Sequence, residues 1–204
     1  MFPTLATDGN RIYYSSLNSG LTRLSFVCIS GGEQVLLPIP LSAELRHISP
    51  DGSMLMAYGM LDGETENHLW FVPTVGGGPR QLYPIDGQDG AWSPDGRRIA
   101  YAKGQEVFIA DSDGSHSRKL TDTSGKPFWI RWAPDSKRLR FTTVNHATGT
   151  HTLWECTAEG HNLHPVVCEV GLPCAFRRSR KNEYQFHAAA RIQGGRSSID
   201  GRPR

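Results

Sequence analysis

The sequence has little cysteine and lacks long apolar runs. Only 4 of its 204 residues are cysteine, and none forms a Cys-x-x-Cys pair. A disulfide framework is therefore not expected, and we predict four free, mostly buried thiols at Cys28, Cys156, Cys168 and Cys174. No apolar stretch approaches the roughly 18 residues of a membrane helix. The first residues lack the basic and apolar regions of a secretory signal. The chain as it stands is expected in the cytoplasm, or in the periplasm if it belongs to a longer protein.

Recognisable enzyme and metal-site signatures are missing as well. No Gly-x-Ser-x-Gly nucleophile elbow occurs. Cys156, His161, His164 and Cys168 are residue types that bind zinc, but a repeat of short strands would place them on two strands and a turn. We therefore predict that the chain is not an enzyme, with no catalytic residue, no metal site and no cofactor.

What the sequence does contain is one four-residue phrase at regular spacing. Ser-Pro-Asp-Gly occurs at 49–52 and 93–96, and related versions occur at 133–136 and 6–9. The four Asp positions (8, 51, 95 and 135) are separated by 43, 44 and 40 residues. Proline presets φ, aspartate accepts hydrogen bonds from nearby backbone, and glycine tolerates positive φ, so the phrase encodes a turn. A period of this size is typical of repeat architectures.

Each repeat divides into four short strands. A second glycine recurs six residues after the third-strand positions 25, 70, 108 and 154, at Gly31, Gly76, Gly114 and Gly160. This recurrence predicts another fixed turn with positive φ. Four-stranded units of about 40–45 residues without helical periodicity predict an all-β fold, a β-propeller of four four-stranded blades. We expect blades at about 2–40, 44–85, 88–122 and 126–167.

Four of the tryptophans recur within these units and are expected between blades. A single four-stranded sheet cannot bury both faces, and radial stacking of blades solves this problem. The tryptophans predicted to form the inter-blade core are Trp70, Trp92, Trp132 and Trp154.

The strings at 92–101 and 109–114 resemble the WD-like repeat of TolB-type β-propellers. The resemblance covers about residues 4–167, and similar repeats occur in the propellers of prolyl oligopeptidases and dipeptidyl peptidases. It implies a propeller fold and specifies little about function. Propellers of this kind commonly close with roughly six to eight blades. Four visible repeats therefore predict an incomplete or open ring, a fragment of a longer bacterial protein.

Residues 168–204 differ in character from the repeats. They contain eight of the 22 Lys and Arg residues but only three of the 20 Asp and Glu residues, and no further Ser-Pro-Asp-Gly phrase. One interpretation is a disordered basic tail. The other is a loss of reading frame near residue 168, so that this segment was never selected to fold.

Loop charge provides the prediction of a site. In a propeller, the loops joining the second and third strands of a blade emerge at the same edge as the loops joining successive blades. The acidic residues expected in these loops, and proposed to bind, are Asp62, Glu64, Glu66, Asp86 and Asp89. An acidic edge attracts a basic peptide or a cation. The plainer alternative is a solvated set of loops that keeps the protein soluble.

Two functional hypotheses follow. The first is a non-enzymatic β-propeller scaffold that binds a protein or peptide, or senses a ligand, within a larger bacterial protein. The alternative is the substrate-gating propeller of a prolyl-oligopeptidase-like serine peptidase whose catalytic domain is absent from this chain. Neither hypothesis requires a nucleic acid partner for the repeats, and neither places a membrane segment in the sequence.

Overall fold

The computed structural model describes residues 4–81, 85–145 and 149–166, together with two strands at 175–178 and 184–187. The chain divides into two compact units, Met1–Val166 and Val167–Arg204. All regular elements of the described residues are strands. In the first unit these are β1 (Ala6–Thr7), β2 (Arg11–Asn18), β3 (Leu21–Cys28), β4 (Val35–Leu36), β5 (Leu41–Ile48), β6 (Met54–Leu61), β7 (His68–Pro73), β8 (Arg80–Gln81), β9 (Asp89–Trp92), β10 (Arg98–Lys103), β11 (Glu106–Asp111), β12 (Arg118–Asp122), β13 (Pro127–Trp132), β14 (Arg138–Asn145), β15 (Thr150–Thr157) and β16 (His164–Pro165).

Four consecutive strands form each antiparallel sheet of the first unit. The sheets are β1–β4, β5–β8, β9–β12 and β13–β16, and within each sheet neighbouring strands pair in chain order. The first strand of one blade packs against the first strand of the next, as β5 does against β9 and β9 against β13. These first strands therefore lie nearest the propeller axis. The predicted all-β fold, a β-propeller of four four-stranded blades, is confirmed.

The repeated phrase forms the turn between the first two strands of each blade. In every copy the Asp Oδ1 accepts a hydrogen bond from the backbone N–H two residues later, at 2.9–3.1 Å. The last residue of the phrase takes a positive φ of 95°, 72°, 71° or 57°. Ser136 adopts this conformation in the fourth copy, where the other three have glycine. The repeated phrase therefore forms a structural turn, as the sequence predicts.

Three apolar cores join the blades. One combines Tyr13 and Leu24 of the first blade with residues of the second, another joins the second and third blades, and the last joins the third and fourth. The four predicted tryptophans all lie in these cores. Trp70 and Trp92 are 5% exposed, whereas Trp132 and Trp154 are partly buried.

Within the described residues, no apolar core combines the fourth blade with the first. This agrees with the predicted open ring. The buried-thiol prediction holds for Cys156 but is wrong for Cys28, which is exposed. Cys168 and Cys174 lie outside the described residues.

The second unit contains a short antiparallel hairpin. Its strands are β17 (Ala175–Arg178) and β18 (Tyr184–His187), paired with residue 176 opposite residue 186. The remainder of the predicted basic tail lies outside the described residues, so its disorder stays a prediction. Among the described residues, no helical segment has the length and hydropathy that crossing a membrane requires.

Candidate functional site: the loop edge and the axial cluster

The loops between second and third strands do meet the loops between blades. The N–H of Asp62, after β6, donates to the carbonyl of Pro40, before β5, at 3.0 Å. In the next blade, the Gln88 side chain bonds the backbone of Gly104. We call this side of the propeller the loop edge. The geometry expected of a propeller is therefore present.

Three of the predicted site residues lie in one exposed loop, between β6 and β7. The Asp62 carboxylate forms a two-pronged ion pair with Arg23 of the first blade, at 2.9 and 3.0 Å. Glu64 accepts a hydrogen bond from the N–H of Leu61 at 3.3 Å. Glu66 is exposed. One of the three carboxylates is therefore neutralised by the neighbouring blade.

Asp86 lies between blades, as predicted. Its carboxylate is 3.6 Å from Lys103 Nζ and 3.7 Å from His68 Nδ1. Lys103 is cationic, and His68 is the other neighbour of the carboxylate. The Asp86 side chain itself is exposed. The acidic character of the loop edge is consequently weaker than the carboxylates alone suggest.

The prediction that Asp89 lies in an exposed loop is wrong. Asp89 is the first residue of β9 and is only 2% exposed. Its Oδ2 accepts the N–H of Ile130 at 3.1 Å, and its Oδ1 is 3.9 Å from Arg46 Nε. A buried carboxylate needs such partners, because its desolvation is costly. Asp89 therefore belongs to the first strand of the third blade and not to the loop that precedes this blade.

Asp89 belongs to a polar cluster on the first strands of three blades. We call Arg46, His47, Asp89 and Arg131 the axial cluster, since β5, β9 and β13 lie nearest the axis. Burial raises the pKa of Asp89, although the charges of Arg131 and Arg46 oppose this. Burial, followed by the charge of Arg131, lowers the pKa of His47 to about 3. The cluster thus contains a neutral imidazole beside mixed charges.

Backbone irregularities shape the axial cluster. The pairing of β5 with β6 shifts between Leu45 and His47, and that of β13 with β14 shifts between Phe128 and Arg131. Such bulges redirect the side chains around them. Trp129, inside the second bulge, has a φ of 55°. For a bulky residue this conformation is strained, and strain of this kind is concentrated at functional sites.

Two buried atoms of the axial cluster lack a protein hydrogen bond, although one of them, Arg46 Nε, lies 3.9 Å from the Asp89 carboxylate. His47 Nδ1 and Arg46 Nε are buried and make no hydrogen bond in the described part of the chain. His47 packs on the Trp92 ring with 6.2 Å between ring centroids. A buried polar atom without a partner costs free energy that a water molecule or a ligand can recover.

Arg46 also connects the axial cluster with a groove of about 240 Å³. Its guanidinium lies 5.4 Å from the centroid of the Tyr58 ring and its Nη1 is 3.1 Å from Glu44. The groove offers hydroxyl, amide, carboxylate and guanidinium groups. Its polar and charged lining residues are Thr22, Ser42, Glu44, Arg46, Tyr58 and Asn67. This arrangement suits hydrogen bonding to a polar ligand.

Sequence reasoning missed Arg46, His47 and Arg131. His47 and Arg131 lie four residues before the turn Asp of their blades, where the third blade has Ala91. The available signal was a polar residue within a strand otherwise expected to be buried. The described residues contain no group of three His, Cys, Asp or Glu side chains that could hold a metal ion.

Comparison with solved structures identifies the type of propeller. A putative TolB from Agrobacterium tumefaciens superposes with a TM-score of 0.68 at 19% identity, covering 78% of this chain and 62% of that one. TolB from Acinetobacter baumannii gives 0.61 at 19% identity, covering 78% and 40%. The fold is that of a TolB-type β-propeller. A nidogen/laminin complex also matches this TolB-type propeller, with a TM-score of 0.56 at 18% identity over 84% of this chain and 64% of that one.

The TolB-type propeller described here spans only part of these proteins. It covers about three-fifths of the first and two-fifths of the second. No protein-family model matches its sequence, and no curated protein matches it. At 19% sequence identity, the similarity between this chain and the two TolB structures concerns the fold.

Proposed function

We propose that this chain is a non-enzymatic β-propeller module that binds a protein or peptide at its loop edge. The observation that carries the proposal is the groove beside Arg46, which joins the loop edge to an axial cluster containing two buried polar atoms without a hydrogen bond. A similar fold was solved in a nidogen/laminin complex, which supports a role for such propellers in protein binding.

The groove favours a polar segment with a basic side chain. Glu64 and Glu66 are exposed beside the groove residue Asn67, and the described residues supply no ion pair to either glutamate. A Lys or Arg of the partner would gain a carboxylate there. Exposed pairs of this kind contribute about 0.2–1 kcal/mol each and weaken with salt. Hydrogen bonds inside the groove supply the remaining specificity.

Peptide selection followed by calorimetry tests the proposal. Peptides would be selected from a random library on the immobilised chain and titrated against the wild type, Arg46→Gln and Glu64→Gln/Glu66→Gln. We expect at least about tenfold weaker binding for Arg46→Gln, since a charged hydrogen-bonding partner is lost. The matched control is Lys119→Gln on the outermost strand β12. Equal affinities for all four proteins would contradict the proposed site.

The peptidase hypothesis remains an alternative prediction. It requires a Gly-x-Ser-x-Gly domain encoded in the same gene as this propeller. Sequencing the gene around this segment tests it directly.

A further inference from the structure

Two neighbouring residues of β5 face the same side of their sheet. Successive side chains of a strand normally point to opposite faces. The bulge in β5 changes this, because Arg46 lies over the Tyr58 ring and His47 packs on the Trp92 ring. Both rings belong to the core between the second and third blades. This part of the axial cluster therefore lies between two adjacent blades, where Arg46 approaches Asp89 of β9.

The hydrogen-bonding groups of the axial cluster are only partly used. Arg46 Nε can only donate, and Asp89 Oδ1, at 3.9 Å, is too distant to accept its proton. The buried His47 Nδ1 also lacks a hydrogen bond within the described residues, and in a neutral imidazole it can be a donor or an acceptor. Asp89 Oδ2 accepts the N–H of Ile130, but a carboxylate can accept several hydrogen bonds. A ligand that satisfies the cluster therefore needs an acceptor for Arg46 beside a donor for Asp89 or His47.

The formal charges of the axial cluster and its entrance balance. Arg46 and Arg131 supply two positive charges, Asp89 and Glu44 supply two negative charges, and the His47 imidazole is neutral. An ionised ligand group would add a charge without a counterpart, and burying such a charge is costly. A primary carboxamide is uncharged and carries a carbonyl acceptor next to an NH₂ donor in one plane. It therefore matches both the hydrogen-bonding groups and the charge of the cluster.

The groove gives a peptide side chain a path to the axial cluster. It is lined by Arg46 and Tyr58 and by Asn67 of the loop between β6 and β7. Glu64 and Glu66 precede Asn67 in the same loop. A segment that places a basic residue at the loop edge can therefore direct a nearby side chain along the groove toward Arg46.

We propose that the axial cluster binds the primary carboxamide of a glutamine or asparagine side chain, carried by the peptide segment that enters the groove. The amide carbonyl accepts from Arg46 Nε, and the amide NH₂ donates to Asp89 or to His47 Nδ1. The peptide as the source of this amide rests on the proposed function, whereas the preference for an uncharged amide rests on the cluster alone.

Small probes test the amide preference without any peptide. Propanamide, butanone and propanoate have nearly the same size and shape, but only propanamide combines an uncharged acceptor with donors. Each would be titrated into the full chain at neutral pH while NMR follows the ring signals of His47, identified by their absence from His47→Phe. We expect millimolar binding of propanamide, at least about tenfold tighter than that of either analogue. Butanone lacks the donor, and propanoate adds a buried charge.

Arg46→Lys tests the donor to the amide carbonyl. Lysine retains the positive charge but lacks the Nε–H, so propanamide should bind at least about tenfold more weakly. The matched control is Arg80→Lys, which alters another arginine over an aromatic ring of the same blade, 5.1 Å from the Phe71 ring centroid, and should leave binding unchanged. Urea unfolding would check that both variants fold. The comparison of the three probes on the wild type needs no variant.

A peptide arm separates this inference from the proposed function. Peptides selected on the immobilised chain should contain a glutamine or asparagine whose replacement by glutamate or methionine weakens binding at least about tenfold. Peptides that bind through Arg46 without such a residue would overturn the inference and leave the proposed function standing. Propanamide binding in the absence of any peptide ligand would uphold the amide site and contradict the proposed function.

Two results with the small probes would overturn the amide site itself. Equal binding of the three probes, or binding of none, would show that water alone satisfies the cluster. Tighter binding of propanoate than of propanamide would show an excess of positive charge and thus a site for carboxylates.

Discussion

Replacing His47 by glutamine should remove a pH-dependent contribution to the stability of the propeller. Burial lowers the pKa of His47 from 6.5 to about 3 in the folded chain. Between these values the unfolded chain binds one proton more than the folded chain. The stability contribution of the histidine is therefore complete above the unfolded pKa and decreases as the pH falls toward the folded pKa. The slope is about 1.4 kcal/mol per pH unit.

The magnitude follows from the two pKa values. Lowering the pH from about 7.5 to about 5 should reduce the wild-type free energy of unfolding by about 2 kcal/mol through His47 alone. The raised pKa of Asp89 acts in the opposite direction, since the folded chain then holds a proton that the unfolded chain releases. Because His47→Gln retains Asp89, that opposing contribution largely cancels when variant and wild type are compared.

Urea unfolding followed by tryptophan fluorescence at several pH values measures the difference. We expect the wild type to lose about 2 kcal/mol more than His47→Gln between about pH 7.5 and about pH 5. An exposed histidine, replaced in His161→Gln, provides the control and should leave the wild-type slope unchanged. Parallel pH profiles for the wild type and His47→Gln would refute the assignment of a neutral imidazole at His47.

Further substitutions test the blade packing and the turns, each through its urea unfolding midpoint. Ile99→Ala removes a fully buried side chain between the second and third blades and should cost about 2–5 kcal/mol; a cost below about 1 kcal/mol would contradict that packing. Gly59→Ala would place a Cβ in steric conflict with the Ser42 carbonyl oxygen and should cost about 1–3 kcal/mol or more, whereas a neutral effect would argue against this close approach. Asp95→Ala removes the acceptor of the Ser93 hydroxyl, 2.5 Å away, and should cost about 0.5–1.5 kcal/mol. That hydrogen bond lowers the pKa of Asp95 below 3.8, so the difference should disappear as the pH falls through the lowered pKa, and a difference that persists in acid would count against the turn assignment.

The fold was predictable because its determinants are local and repeated. The turn phrase uses proline, aspartate and glycine for conformations that each residue favours by itself. The second glycine of each repeat behaves as expected, with φ values of 94°, 61°, 92° and 91° at Gly31, Gly76, Gly114 and Gly160. The turn phrase and the second glycine each recur in all four repeats. Together these two positions define the strand boundaries closely enough to identify the blades.

The axial cluster was not predictable because its determinants are not local. Asp89 could be placed only by knowing where β9 begins, and this depends on its pairing with β10. The bulges that place His47 and Arg131 likewise arise from register between strands. Neither bulge carries a glycine, the residue by which a sequence can signal an irregular strand.

The positions at which the repeats agree and the positions at which they differ therefore carry different information. The Asp of the turn phrase is common to all four blades, and in every copy its carboxylate accepts a backbone N–H of its own turn, which is a structural role. The axial residues have no common identity: six residues before that Asp stand Leu45, Asp89 and Trp129 in the last three blades. Burying the Asp89 carboxylate at a position where the other blades have apolar residues costs stability. The pattern of turns and strands does not require an aspartate at this position. Selection for a specific interaction explains such a residue better than selection for the fold, and this reasoning places the search for a ligand at the axis and the adjoining groove.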